Sequence, residues 1–173
     1  MKIKTINVET VQLSCLLAGD EVAALSDSVL ENYKTVIAQT RTCAPLSVCF
    51  DGTEYWLFDG YHRLAVLGHL GISACQVMVY KGDRRDALRR YIADKLRSKE
   101  PAPHTRVFRH CLRRLRTDTV WSTMPSSQLA SLFARKPAFF DNLRLWNPDQ
   151  RNDHLVFCRN KHGSVSLIKS HRS

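Results

Sequence analysis

The stretch Tyr55–Ala65, YWLFDGYHRLA, is the most informative part of this 173-residue chain for the fold of its first half. Its first residues form a β-rich run, and Asp59-Gly60 interrupts that run before an apolar helical segment begins. At such a strand-to-helix turn the first backbone N–H groups of the helix have no helical partner, and the helix dipole is positive. Gly60 lets the backbone approach a ligand closely, and Arg63 offers a bidentate fork for phosphate. The stretch therefore predicts a phosphate-binding turn.

Two further side chains of this turn are candidates for chemistry. His62 can donate to a phosphate or move a proton near neutral pH, although it could equally be a hydrogen-bonded structural residue. Phosphoryl chemistry also requires a carboxylate that activates water or holds a metal, and Asp59 is the nearest one. The alternative for Asp59 is a turn-forming residue that bonds the backbone.

Patterns on both sides of the turn predict a small α/β (α+β) domain over residues 1–97. Strands, helices and a hairpin alternate before a helix that Asp83 caps. Asp51-Gly52 is the hairpin signal. The expected elements are strands over Lys2–Val8, Leu46–Phe50, Glu54–Phe58 and Ala74–Tyr80 and helices over Ser26–Thr40, Tyr61–Leu70 and Arg84–Arg97.

The motif Asp-Gly-x-His-Arg-Leu-Ala, with Gly71 and the run Gly82–Ala87 after it, resembles the ParB-like nuclease domains of the ParB/sulfiredoxin superfamily. The resemblance covers about residues 3–95. It implies that the turn binds nucleotide or nucleic-acid phosphates, with CTP or ATP as the nucleotide, with or without Mg²⁺. The residues that would bind are Gly60, Tyr61, His62 and Arg63.

The same resemblance suggests roles beyond binding. Related kinases use a glutamate from the N-terminal segment, which makes Glu31 a third catalytic candidate beside His62 and Asp59. A solvated glutamate on a helix surface is the alternative for Glu31. Sulfiredoxins carry their reactive cysteine where Tyr61 stands, so sulfiredoxin chemistry is not expected. Partition proteins carry Gly-x-Arg-Arg, and His62 replaces the first of those arginines. The His-Arg version resembles the nuclease-like and kinase-like branches of the superfamily, so nuclease, NTPase and phosphotransferase activity all stay open.

Charge separates the two halves of the sequence. Residues 1–80 hold five Lys/Arg and eight Asp/Glu, whereas residues 81–173 hold 21 Lys/Arg and eight Asp/Glu. An excess of this size over one half predicts a polyanionic partner, most often nucleic acid. We therefore expect DNA as a partner, with a solvated helical surface as the plain alternative.

Residues 104–173 predict a basic helical region that resembles a helix-turn-helix. A basic helix is expected over His104–Arg116, a helical pair over Ser126–Phe133 and Pro137–Leu145, and a terminal β-hairpin over His154–Cys158 and Ser164–Ile168. Ala134-Arg135-Lys136 replaces the usual Gly-Val-Ser turn, and an ordinary helical hairpin is the alternative. The candidate DNA-binding residues are Arg106, Arg109, Arg113, Arg114, Lys136, Asn142 and Arg144.

Composition indicates the compartment of the protein and the state of its cysteines. The sequence has no apolar run near the roughly 20 residues that cross a bilayer and no secretory signal, so we expect a cytoplasmic protein with no membrane partner. Its six cysteines lack Cys-x-x-Cys spacing and are expected to be reduced thiols, with no metal site. Whether the chain forms a homodimer stays open.

These observations favour a DNA-binding ParB-like protein of the plasmid or phage partition or regulatory type. The alternative from the same superfamily is a metal-assisted nuclease or nucleotidase, or a small-molecule kinase. A third class is an interaction protein that keeps the fold without turnover.

Overall fold

The computed structural model describes residues 2–13, 27–97, 106–145, 155–159 and 165–169. The chain forms two compact units, Met1–Tyr91 and Ile92–Ser173. The division between them falls inside a helix, whereas the sequence places the functional boundary in the proline-containing segment after that helix. The functional limits of the two regions stay a prediction.

The first unit contains a five-stranded sheet and three helices among its described residues. Its strands are β1 (Lys2–Asn7), β2 (Val11–Leu13), β3 (Leu46–Phe50), β4 (Tyr55–Asp59) and β5 (Ala74–Lys81). Its helices are α1 (Asp27–Thr40), α2 (Tyr61–His69) and the first part of α3 (Arg84–Arg97), with a 3-10 turn at Val8–Thr10. The α/β class expected from the sequence is confirmed, and the short strand β2 is an addition to it.

The sheet has the strand order β1-β5-β3-β4-β2. The pairs β1–β5 and β3–β4 are antiparallel, whereas β3–β5 and β2–β4 are parallel. The hairpin between β3 and β4 forms at Asp51-Gly52 as predicted. Asp51 accepts hydrogen bonds from the backbone of Thr53 and Glu54 and from the indole N–H of Trp56. These bonds, chiefly that of Glu54, lower the pKa of Asp51.

The core of the first unit explains why these segments take these positions. Strands β2 to β5 and the three helices each contribute buried apolar residues, whereas the residues of β1 are exposed or half-buried. Tyr91 of α3 closes this core, and its ring lies edge-on to that of Tyr61 at 5.7 Å between centroids. The most deeply buried members are Ile37, Leu46, Val48, Cys49, Leu57, Val66, Leu67, Val77, Ala87 and Tyr91.

Helix α3 begins directly after Asp83, the residue that the sequence predicted as its N-cap, and Asp83 forms a reciprocal cap with Asp86. The Asp83 carboxylate accepts the backbone N–H of Asp86 at 2.9 Å, and the Asp86 carboxylate accepts the backbone N–H of Asp83 at 3.3 Å. This exchange satisfies two N–H groups at the helix start. It confirms Asp83 as the N-cap.

The second unit contains the end of α3 followed by α4 (Arg106–Thr117), α5 (Ser126–Phe133), α6 (Pro137–Leu145) and a hairpin of β6 (Leu155–Arg159) and β7 (Val165–Lys169). The hairpin is antiparallel, as predicted. Phe133 lies at the centre of an aromatic cluster, with ring centroids 5.3 Å from Trp121 and 6.1 Å from Phe140. Aromatic burial of this kind holds α5 and α6 together.

Two general expectations can be compared with the described residues. Cys43, Cys49, Cys75 and Cys111 are free thiols; Cys15 and the side chain of Cys158 lie outside the described residues. Among the described residues, no helix has the length and apolar character needed to span a membrane.

Candidate phosphate-binding turn and basic surface

Gly60 makes the turn between β4 and α2 possible. Its φ of 103° lies in the region that side chains strongly disfavour. A Cβ at this position would lie 2.6 Å from Leu46 Cδ2 and 3.1 Å from an Arg63 nitrogen. Both backbone conformation and close packing therefore require glycine. The atoms that approach the Gly60 backbone closely thus belong to the side chains of Leu46 and Arg63.

Arg63 holds the turn against the segment that leads into β3. One terminal nitrogen, Nη1, donates to the backbone carbonyls of Ala44 and Pro45, both at 2.8 Å. The other, Nη2, donates to Asp59 Oδ2 at 2.9 Å. The side chain is only 13% exposed. Three of the five N–H groups of a guanidinium are thus used within the protein, which leaves Nε–H and one Nη2–H for a ligand.

Asp59 provides an exposed carboxylate at the end of β4. Its side chain is 57% exposed although it pairs with Arg63. The sequence alternatives for this residue were a catalytic carboxylate and a turn-forming residue, and the ion pair adds a structural role. Its catalytic role stays a prediction.

Tyr61 packs inward, in contrast to Asp59. Its hydroxyl donates to the carbonyl of Leu57 at 2.9 Å, and the side chain is buried. Any contact of Tyr61 with a ligand would therefore have to use its backbone.

His62 and Glu31 are the remaining residues predicted to take part in catalysis. His62 is half-buried, and its ring lies 6.4 Å from that of Tyr33 on α1. Glu31 lies on the same helix, is exposed, and pairs with Lys34 at 2.6 Å. The structure thus brings α1 to His62, while the Glu31 carboxylate is engaged with a lysine of its own helix. The catalytic roles of both residues stay predictions.

Helix α4 has one buried face and one basic face. Cys111, Leu112 and Leu115 are buried, whereas Arg113 and Arg116 are exposed. Arg114 is half-buried. The helical backbone includes Arg106 and Arg109, but their side chains lie outside the described residues. The described part of α4 thus carries an exposed basic face opposite the core.

The pair α5–α6 is joined by the short segment that the sequence identified as an unusual turn. Ala134 ends α5 with a φ of 51°, and the backbone N–H of Arg135 donates to the carbonyl of Ala130. Both helices of the pair contribute buried apolar residues, which are Leu129, Ala130, Phe140 and Leu143. The helical pair is present as predicted. Its function as a helix-turn-helix stays a prediction.

The candidate DNA-binding residues of this pair differ in exposure. Lys136 is exposed, directly before the first residue of α6, and Asn142 is half-buried. Arg144 is exposed, but one of its terminal nitrogens donates to the carbonyl of Met124. Lys136 is therefore the most accessible of the three.

Sequence reasoning did not identify Arg135 as part of this basic region. Its guanidinium lies 5.6 Å from the centroid of the Phe139 ring. Burial, and to a smaller extent the charge of Arg97, lowers the pKa of Arg135. The arginine next to Lys136 in the sequence was a signal, but its half-buried position depends on packing against α6. The positive charges of Arg135 and Arg97 act on each other, so this part of the second unit is strongly positive.

No group of three or more His, Cys, Asp or Glu side chains that could hold a metal ion occurs within the described ranges. A role for Mg²⁺ with a bound nucleotide therefore stays a proposal.

No protein-family model and no curated protein matches the chain. Among solved structures, it is similar to sulfiredoxin from Arabidopsis thaliana, with 20% identity and a TM-score of 0.44 over 53% of this chain and 98% of that one. It is also similar to the truncated chromosome-partitioning protein ParB from Caulobacter crescentus. The complex of that protein with the centromeric parS site aligns at 14% identity and a TM-score of 0.49, over 84% of this chain and 73% of that one. The complex with CTP-gamma-S aligns at 14% identity and a TM-score of 0.46, over 83% and 77%.

These three solved structures are of the sulfiredoxin and ParB types, the two protein types that the Asp-Gly-x-His-Arg motif resembles. Identities of 14–20% carry no ligand or activity from one protein to another.

Proposed function

We propose that this chain is a DNA-binding ParB-like protein of partition or regulatory type. The observation that carries this is the charge of the second unit, which contains sixteen Lys/Arg and six Asp/Glu, against ten of each in the first. Arg113, Arg116 and Lys136 expose part of that charge to solvent. Exposed arginine and lysine neutralise DNA phosphates whatever the base sequence.

In the first unit we propose that residues 59–63 bind a phosphate of a nucleotide, CTP or ATP, or of a nucleic acid. Glycine at the N-cap of α2 leaves the helix without a side-chain cap. The start of a helix favours anions through its dipole. Arg63 has two N–H groups beyond the three already used, and His62 is the neighbouring donor or proton carrier.

The DNA-binding proposal is tested with charge reversal in the full chain. Binding to duplex DNA is measured by fluorescence anisotropy over roughly 50–200 mM salt for the parent and for Arg113→Glu/Arg116→Glu. We expect at least about a tenfold weaker affinity, and a salt slope smaller by roughly 0.9 for each phosphate that the variant no longer neutralises. Lys81→Glu/Arg85→Glu removes the same charge from exposed positions of the first unit and is the control. Equal effects in the two double variants would contradict a binding surface in the second unit.

The nucleotide-binding proposal is tested by calorimetric titration with CTP and ATP, each with and without Mg²⁺. Binding without phosphate release supports a nucleotide-controlled DNA-binding protein. Phosphate release, or magnesium-dependent cutting of DNA, would favour the enzymatic alternatives. Absence of binding of either nucleotide would exclude the proposed role of residues 59–63 in nucleotide binding.

A further inference from the structure

A cavity of about 260 Å³ lies in the first unit, between the end of α1 and the sheet. Its wall on the sheet side includes Thr5 of β1 and Gln76 of β5, which are register partners. Its other wall is the segment Arg41–Cys43, which follows α1, and Leu67 of α2 contributes to the lining. No residue of the turn 59–63 lines this cavity.

The polar groups of this cavity are suited to a negatively charged ligand. Among the lining residues, Arg41 carries a guanidinium, Thr5 and Thr42 carry hydroxyls and Gln76 carries an amide, all of which can donate hydrogen bonds. The lining contains no aspartate or glutamate. Its net charge is therefore set by Arg41 and by the state of two thiols.

Those two thiols, Cys43 and Cys75, are neutral at ordinary pH. Burial, with a smaller contribution from the neighbouring Cys43, raises the pKa of Cys75 to about 11. Burial also raises the pKa of Cys43, against the opposing charge of Arg63. With both thiols protonated, the cavity carries one positive charge and no negative one.

Arg41 has a backbone conformation that glycine would adopt with less strain. Its φ is 55°, and its backbone N–H donates to the carbonyl of Ile37 as the closing bond of α1. This left-handed position after a helix is most often glycine, because a Cβ is strained there. Within the part of the chain that the structure describes, the Arg41 side chain makes no hydrogen bond or ion pair. Because Arg41 is exposed and its side chain is not engaged in such a bond, its guanidinium is available to a ligand in the cavity.

We propose that this cavity is a binding site for a small oxyanion, a phosphate ester or a carboxylate, which the Arg41 guanidinium binds with help from the hydroxyl and amide groups of the wall. Planar guanidinium matches the geometry of both anions. This site is separate from the proposed function, because none of the residues 59–63 belongs to it.

Cys43 is a reporter within the site, since it lines the cavity and is half-buried. The full chain is treated with N-ethylmaleimide, and the labelling of Cys43 is followed by peptide mass spectrometry. Inorganic phosphate and succinate are added in separate arms at constant ionic strength. We expect saturable protection of Cys43 by at least one probe, and the more effective probe identifies phosphate or carboxylate as the preferred group. If neither anion protects Cys43, the inference is wrong.

Variants of Arg41 separate the guanidinium from the backbone strain. Arg41→Ala and Arg41→Gly should each weaken binding of the protecting anion about ten- to hundredfold in calorimetry. Arg41→Lys should weaken binding less. Arg41→Gly should melt at a temperature no lower than the parent, because glycine removes the strain, so that its weaker binding cannot be attributed to misfolding.

Two controls complete the test. Arg85→Ala removes an exposed arginine outside the cavity and should leave protection of Cys43 unchanged. His62→Ala should also leave it unchanged, which distinguishes the cavity from the turn. If Arg41→Ala and Arg41→Gly bind the anion as the parent does, Arg41 serves only the helix end and the site is not there.

Discussion

Arg63 of the first unit and Arg113 of the second both lie on helices, but their environments are opposite. Arg63 is largely buried and donates to two backbone carbonyls and to Asp59. Arg113 is exposed on the face of α4 that lies opposite Leu112 and Leu115. The same side chain thus holds a turn together in one unit and faces solvent in the other.

The two units differ in their net charge, as these two arginines differ in their environments. The first unit holds equal numbers of basic and acidic residues. Arg63 donates to backbone carbonyls and to a carboxylate, and the Arg90 guanidinium lies over the ring of Tyr80. The second unit holds a large basic excess. Substitutions in the first unit should therefore change mainly stability, and those in the second mainly the affinity for a polyanion. Variants in both units test that contrast.

The largest effect is expected at Gly60. Gly60→Ala combines a disfavoured positive φ with a Cβ 2.6 Å from Leu46 Cδ2, and should lower the free energy of unfolding by about 2–4 kcal/mol. Gly52→Ala is the matched control, because Gly52 has a φ of 112° with no atom within 4 Å of the added Cβ. It should destabilise by only about 1–2 kcal/mol. Urea unfolding measures both, and equal effects would show that close packing at Gly60 contributes nothing.

Arg63→Ala tests the structural role of the turn. The substitution leaves the carbonyls of Ala44 and Pro45 without their donor, and should lower the free energy of unfolding by about 2–3 kcal/mol. Arg116→Ala, at another exposed position of α4, should change the free energy of unfolding by less than about 0.5 kcal/mol while it weakens DNA binding. Denaturation of both variants measures the free energy of unfolding, and DNA titration measures their affinity for DNA. The contrast between the units fails if Arg63→Ala unfolds like the parent.

The buried thiol of Cys49 makes stability depend on pH. Burial raises its pKa from 9.0 to about 11, so above pH 9 the unfolded chain releases a proton that the folded chain keeps. Stability should therefore be fully present below pH 9 and fall between about pH 9 and 11, by up to roughly 1.4 kcal/mol per pH unit. Unfolding curves across this range should be flatter for Cys49→Ala than for the parent. An identical pH dependence in the two proteins would contradict the raised pKa.

The smallest effect is expected at Lys136. Because it is exposed, Lys136→Ala should leave unfolding unchanged, weaken DNA binding about three- to fivefold and reduce the salt slope by about one. Arg144→Ala provides the comparison, since Arg144 donates to the carbonyl of Met124. It should lower the free energy of unfolding by about 0.5–1.5 kcal/mol. If Lys136→Ala leaves the salt slope unchanged, Lys136 does not contact phosphate.

Local signals in the sequence located most elements. The β-rich run Leu46–Phe50, the turn at Asp51-Gly52 and the cap at Asp83 each depend on neighbours within a few residues. The strand β2 was missed because three residues are too few to show a period. The carbonyl acceptors of Arg63 could not be predicted, because they lie 18 and 19 residues earlier in the chain.

Period, turn chemistry and charge are properties of short segments, so the α/β pattern, the position of the strand-to-helix turn and the basic character of the second half follow from the sequence alone. What the side chains of those segments do depends on the tertiary structure. Folding brings the carbonyls of Ala44 and Pro45 to Arg63 and turns the phenol of Tyr61 into the core. It also places Arg41 beside Cys75 at one cavity. The carbonyl partners of Arg63 and the ring partner of Tyr61, Tyr91, are distant in the chain, and the energies of these contacts depend on burial that no local pattern records.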